Sequence, residues 1–68
     1  MGSKRIKPRI EVVPELEGGQ ITYKVVLVNH DETRLEMNDE NFREAKTAIE
    51  AANQMKEFLK WPISYSSL

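Results

Sequence analysis

The single histidine of this 68-residue chain, His30, stands beside Asp31 and Glu32 in the run "NHDET". An imidazole next to two carboxylates has the atoms for general-base work or for holding a divalent cation. A base, however, needs a positioned partner and a pocket that moves its pKa. This run lies between two apolar stretches, where a solvated turn belongs, and its spacing matches no established metal-ligand pattern. Ser64, Ser66 and Ser67 are nucleophiles by type, but they fall in a terminal run with no histidine close by. The chain has no cysteine, hence no disulfide, no thiolate ligand and no thiol nucleophile. The glycine pair in "EGG" precedes a strand, so it presents no helix N-terminus to a phosphate. The expectation is a protein that is not an enzyme, with no cofactor and no bound metal.

Charge is the next chemical resource. The net charge is −1, yet it is unevenly spread. Lys4, Arg5, Lys7 and Arg9 fall within the first nine residues, with no acid among them, and the remainder carries six cations against eleven acids. A basic arm therefore leads an acidic body. No stretch approaches the ~20 apolar residues of a membrane span, and no signal-peptide apolar segment is present. With the lack of cysteine, this leads us to expect a cytoplasmic protein with no membrane partner. A chain this short buries only about 60% of the surface its unfolded form exposes, so one domain is the limit.

The elements that must position these charges follow from periodicity. Ile6, Pro8, Ile10 and Val12 alternate with Lys7, Arg9 and Glu11, which is the pattern of a strand with one buried face. Pro8 lacks an N–H and places this strand at an edge, and Pro14 ends it. A second strand, 20–28, sets Ile21, Tyr23, Val25 and Leu27 on one face; a third, 33–37, adds Leu35 and Met37. Pairing Val12 with Tyr23 and Ile10 with Val25 sets apolar against apolar and faces Glu11 with Lys24. Pairing Leu27 with Leu35 leaves His30, Asp31 and Glu32 as a three-residue loop. Asn38 is a good helix N-cap, Met37 and Phe42 fit a hydrophobic staple, and Asp39 and Glu40 suit a first turn. Phe42, Ala45, Ala48, Ile49, Ala52, Met55 and Leu59 form one helical stripe. Trp61-Pro62 should stop the helix. The expected fold is α+β: a three-stranded antiparallel β-meander with one C-terminal α-helix packed across one face. It divides into a basic arm (1–8), a β-β-β-α domain (9–61) and a tail (62–68).

A helix from Asp39 to Lys60 would be about 33 Å long, against about 17 Å for the third strand. Met55, Phe58, Leu59, Trp61, Ile63 and Tyr65 then outrun the sheet. Either the tail folds back over them or a second copy of the chain covers them, making a homodimer.

Two resemblances bear on partners. The order of elements resembles the three-stranded sheet with a packed helix of some integrase arm-binding domains, which implies DNA reading by the sheet face. The run "ITYKVVLV", a turn, "TRLEM" and "FREAKTAIEAANQM" resembles the last two strands and final helix of a double-stranded-RNA-binding domain. That family grips phosphates with lysines at the start of this helix, where the present chain reads Asn38, Asp39, Glu40 and Asn41; its first helix has no counterpart. Nucleic acid is therefore the alternative partner, through Lys4, Arg5, Lys7, Arg9, Lys24 and Arg34 on the arm and the open sheet face.

The leading expectation comes from the other pole. In a meander the first turn and the end of the third strand share one end of the sheet, so Glu15 and Glu17 approach Asp39, Glu40 and Glu44, with Arg43 nearby. Such an acidic pole suits a protein partner with a basic surface; the pole, or an exposed Val26 and Val28, would meet that partner. It would be the behaviour of a small inhibitor or adaptor, of the kind phages encode.

Overall fold

Strands β1 (Arg9–Glu17), β2 (Gln20–Val28) and β3 (Arg34–Glu36) are followed by helix α1 (Ala45–Leu59) and strand β4 (Ile63–Tyr65). This is a computed structural model, describing residues 6–37 and 40–66. The four strands form one mixed sheet in the order β3-β2-β1-β4. The β1–β2 and β2–β3 pairs are antiparallel, whereas β4 lies parallel to β1. The expected α+β class and three-stranded meander are present; the fourth strand is an addition. The tail therefore joins the sheet: Ile63 pairs with Ile10, Ser64 with Glu11 and Tyr65 with Val12.

Both hairpins follow from backbone requirements. Gly18 and Gly19 take φ of 54° and 80°, so they form a two-residue loop of the I′ kind, which needs positive φ at both positions. That requirement sets the register. Val12 pairs with Val25 and Ile10 with Leu27, two residues along from the sequence expectation of Val12 with Tyr23. A slip of two leaves every side chain on its own face, so alternation cannot detect it. It does move partners: Glu11 faces Val26, and Lys24 faces Val13. The second hairpin pairs Leu27 with Leu35 as expected. Its loop closes with Glu32 N–H donating to the Asn29 carbonyl at 2.9 Å, and Glu32 takes a φ of 71°.

Prolines decide which edges can pair. β1 continues through Pro14 to Glu17 and is an interior strand, not an edge strand ended at Pro14. Ile10 N–H donates to the Pro62 carbonyl, and Ser66 N–H to the Val12 carbonyl. The backbone groups of Ile10 and Val12 thus face β4, and those of the odd-numbered residues face β2. Pro14 falls on the β4 side, one step past the end of the pairing, where its missing N–H leaves no ladder bond broken. Pro8 lies before the strand. The two prolines leave Ile10–Val12 as the window that β4 can occupy.

The helix is shorter than expected, 15 residues rather than a span from Asp39. Glu44, its N-cap, is extended at φ −122° and ψ 139°. Upstream, Phe42 exchanges two hydrogen bonds with Tyr23, at 2.7 and 2.8 Å. These backbone bonds hold the chain against β2 and delay the helix. Phe42 therefore packs on the core from a bridge rather than from the helical stripe, and Glu40 precedes the helix instead of sitting in its first turn. Asn38 and Asp39, expected as cap and first-turn acid, lie outside the described residues. Ala48 and Ala52 are fully buried against Ile10, Val12 and Val25, with Met55, Trp61 and Ile63 packed around them. Small residues let the helix approach the sheet closely.

The helix stops at Lys60, which takes a left-handed φ of 62° and donates its N–H to the Lys56 carbonyl at 2.7 Å. A side chain in this conformation is strained by about 1 kcal/mol, and the following Trp61-Pro62 prevents continuation. Replacing Lys60→Gly should therefore raise stability by about 0.5–1 kcal/mol after the entropy of the unfolded glycine is offset. Gly18→Ala and Gly19→Ala should each lower it by about 1 kcal/mol, because a Cβ there meets open space and only the backbone objects. Urea unfolding midpoints check both signs.

Candidate functional site

The sheet face opposite the helix carries most of the organised polar chemistry. Arg9, Glu11, Val13, Glu15 and Glu17 of β1 share it with Thr22, Lys24, Val26 and Val28 of β2, and with Arg34 and Glu36 of β3. Because β1 runs on to Glu17, this face has three strand cations against four acids, not the basic excess expected from the sequence.

Its centre is Glu11. Arg9 donates Nε to one carboxylate oxygen at 2.8 Å, with a second guanidinium nitrogen at 2.7 Å, and Arg34 donates to the other oxygen at 2.7 Å. Arg34 belongs to β3 and Glu11 to β1, so this pair spans β2. Beneath it lie Val26 and Val28, each only 2% exposed. Val28 is flanked by Arg9 and Arg34, and Val26 by Glu11 and Glu36. The aliphatic stems of the charged residues cover apolar surface while their heads pair in water. The expectation that Val26 and Val28 are exposed to a partner is thus corrected. Burial pushes the Glu11 carboxyl up, but the Arg9 and Arg34 hydrogen bonds outweigh it and hold the group below the ordinary glutamate range.

A second cluster follows toward the hairpin turn. Lys24 Nζ lies 2.7 Å from Glu15 and 3.5 Å from Glu36. Asn41 donates Nδ2 to Glu15 at 2.8 Å and to Thr22 Oγ1 at 3.0 Å. The Lys24 and Asn41 hydrogen bonds lower the Glu15 pKa, and the Glu15 bond raises that of Lys24. Glu17, Thr22, Glu40, Asn41 and Arg43 then line an open pocket of about 250 Å³. The fold thereby gathers Glu15, Glu17 and Glu40 at one end, with Glu44 at the helix start; Asp39 lies outside the described residues. On the helix side of the same end, Leu16 and Ile21 pair across the strands and are 68% and 44% exposed.

The remaining sequence candidates are distributed as follows. Lys7 is exposed ahead of β1, and Lys4 and Arg5 are outside the described residues. Arg9, Lys24 and Arg34 are all held in ion pairs, which reduces what they can offer a phosphate. Where the double-stranded-RNA-binding family places helical lysines, Glu40 and Asn41 precede the helix, and Asn38 and Asp39 lie outside the described residues. Met55, Trp61 and Ile63 pack against the core and Leu59 is half-buried, whereas Phe58 and Tyr65 are 81% and 59% exposed. His30 sits on the exposed loop with its ring Nδ1 2.8 Å from Asn29 Oδ1. Asp31 accepts from the Thr33 hydroxyl and from its N–H at 3.0 Å, which lowers its pKa. Leu16 was not singled out by the sequence, though alternation continued past Pro14 would have flagged it; Ile21, expected on the apolar face of its strand, lies on that face but is 44% exposed; Asn41 and Thr22 were given no binding role.

Removing the central carboxylate should be costly. Glu11→Gln is expected to destabilise the fold by about 1–2 kcal/mol, since charge-assisted hydrogen bonds are lost over buried valines. The acid limb of the stability profile has the same origin. Glu11, Glu15 and Asp31 have lowered folded-state pKa values. Their contribution is complete above the unfolded carboxylate range and is lost as pH falls below it. The raised Lys24 pKa acts oppositely, its contribution being lost only as pH rises beyond the ordinary lysine range. Thermal scans from pH 7 to 2 should show a fall that is shallower in Glu11→Gln.

No family model matches the chain, and neither a curated protein nor a solved structure matches it.

Proposed function

We propose that this chain is a small non-enzymatic protein-binding module that docks its acidic hairpin end on a basic partner, as an inhibitor or adaptor would. The observation that carries this reading is the exposed Leu16–Ile21 pair at the hairpin end, 68% and 44% exposed, with Glu15 and Glu17 flanking Leu16 along β1. On the other side of this end, Glu17 and Glu40 border an open pocket that Arg43 also lines. An apolar patch with charge beside it has the anatomy of a protein interface. The acids supply steering and choice of partner more than raw affinity. Among the described residues no helix is long and apolar enough to cross a membrane, so the reading involves no membrane span.

Affinity capture from a cell extract tests it, followed by binding measurements with the purified captured protein. A partner of basic pI is expected, with an association rate that falls as salt rises. A Glu17→Lys, Glu40→Lys double variant should weaken it at least tenfold while unfolding normally. The nucleic-acid alternative makes the opposite forecast. If duplex DNA binds with an affinity that falls steeply in salt, and Arg9→Ala with Arg34→Ala flattens that slope, the protein-docking reading fails.

A further inference from the structure

The two outer strands of the sheet differ in how they are guarded. On β3, Val25 accepts from Met37 N–H and Thr33 accepts from Asn29 N–H, so the outward backbone groups belong to Arg34 and Glu36. Both are charged, and charged edges of this kind resist further pairing. The two outer strands are equally short, three residues each, so charge and not length separates them. On β4, Pro62 and Ser66 bond inward to β1, and Ser64 lies between them in the ladder. The outward N–H and C=O groups therefore belong to Ile63 and Tyr65. From Trp61 to Ser66 the chain has no charged residue. Tyr65 is 59% exposed, and Ser64 and Ser66 are exposed on the other face.

We propose that a second copy of this chain occupies the β4 edge, pairing antiparallel so that two sheets join into one of eight strands. The edge is self-complementary about a two-fold axis through Ser64. In that register Ile63 of one copy exchanges both backbone hydrogen bonds with Tyr65 of the other, and the reverse pair does the same. Ser64 meets its own copy as a non-hydrogen-bonded pair, with Cα atoms about 4.5 Å apart. Charge permits the arrangement: the nearest strand carboxylates, the two Glu11 groups, stand three strand spacings apart, about 14 Å, which is beyond the Debye length of about 8 Å at physiological salt. The helices do not collide, because each lies over β1 and β2 and only reaches β4. Two helices so placed are about 19 Å apart at a strand spacing of ~4.8 Å, twice a packing distance. A foreign strand would gain the same backbone bonds but not this symmetry. Because the two β1 strands run in opposite directions, the dimer presents its two hairpin ends at opposite poles. The proposal does not depend on what those ends bind.

Light scattering and equilibrium sedimentation of the purified chain, up to about 100 µM, test the state itself, since a dimer of micromolar affinity is nearly full there. A mass of twice the 7.9 kDa chain is expected, and the single-chain mass throughout would overturn the proposal. Register is tested at position 64. In a chain without cysteine, Ser64→Cys should oxidise to a covalent dimer, since its Cα separation falls in the disulfide range; Asn53→Cys, exposed on the helix, should not. Ser64→Lys and Ser64→Asp should each give monomers with unchanged circular dichroism, and mixing the two should restore a dimer. Tyr65→Pro, which removes an outward N–H and no inward ladder bond, should also be monomeric. A dimer that survives all three substitutions, or that crosslinks equally through both cysteines, uses another surface and refutes the edge.

Discussion

The three residues Ile10, Glu11 and Val12 are used on every side available to a strand. Their odd- and even-numbered backbone groups bond to β2 and to β4 respectively. Ile10 and Val12 enter the helix-covered core, fully or nearly fully buried, while Glu11 holds the ion-pair cluster on the opposite face. In a chain of this length, with little core to spare, one segment that serves both edges and both faces is an economical solution. It also concentrates vulnerability, since a shift at this segment moves the helix core, the charged cover and the fourth strand together.

The charged side of the sheet illustrates why counting cations is a poor guide to partners. Arg9, Arg34 and Lys24 look available in a one-dimensional reading, yet each is satisfied by a carboxylate two residues away or on another strand. Their stems cover Val26 and Val28, so the pairs form part of the fold's second apolar layer. A surface organised this way has little surplus charge to give a phosphate backbone. Outside this lattice lie the hairpin end, with its acids and exposed Leu16–Ile21 pair, and the uncharged outer edge of β4.

Much of the secondary structure was legible in the residues. Alternation marked the strands, and Leu27 with Leu35 identified the second hairpin and its three-residue loop. The glycines marked the first turn. The four- and three-residue steps of Ala48, Ala52 and Met55 marked the helix and its buried stripe. The errors also have definite causes. A period of two cannot distinguish registers that differ by two. Pro14 reads as a terminator unless it is known which edge of the strand its missing N–H faces. Good capping chemistry near Asn38 and Asp39 did not start the helix where expected, because Phe42 and Tyr23 exchange backbone bonds that no local preference reports.

The amino-acid order alone determined local periodicity, turn positions, the lack of cysteine chemistry and the separation of a basic start from an acidic body, because each depends on neighbours along the chain. Tertiary structure decided the rest: that Ile63–Tyr65 return beside β1 as a fourth strand, and that Val26 and Val28 are covered. These outcomes rest on contacts between residues far apart in sequence, through backbone hydrogen bonds that are the same for almost every residue type. Side-chain identity therefore carries no signature of them until the strands are laid side by side.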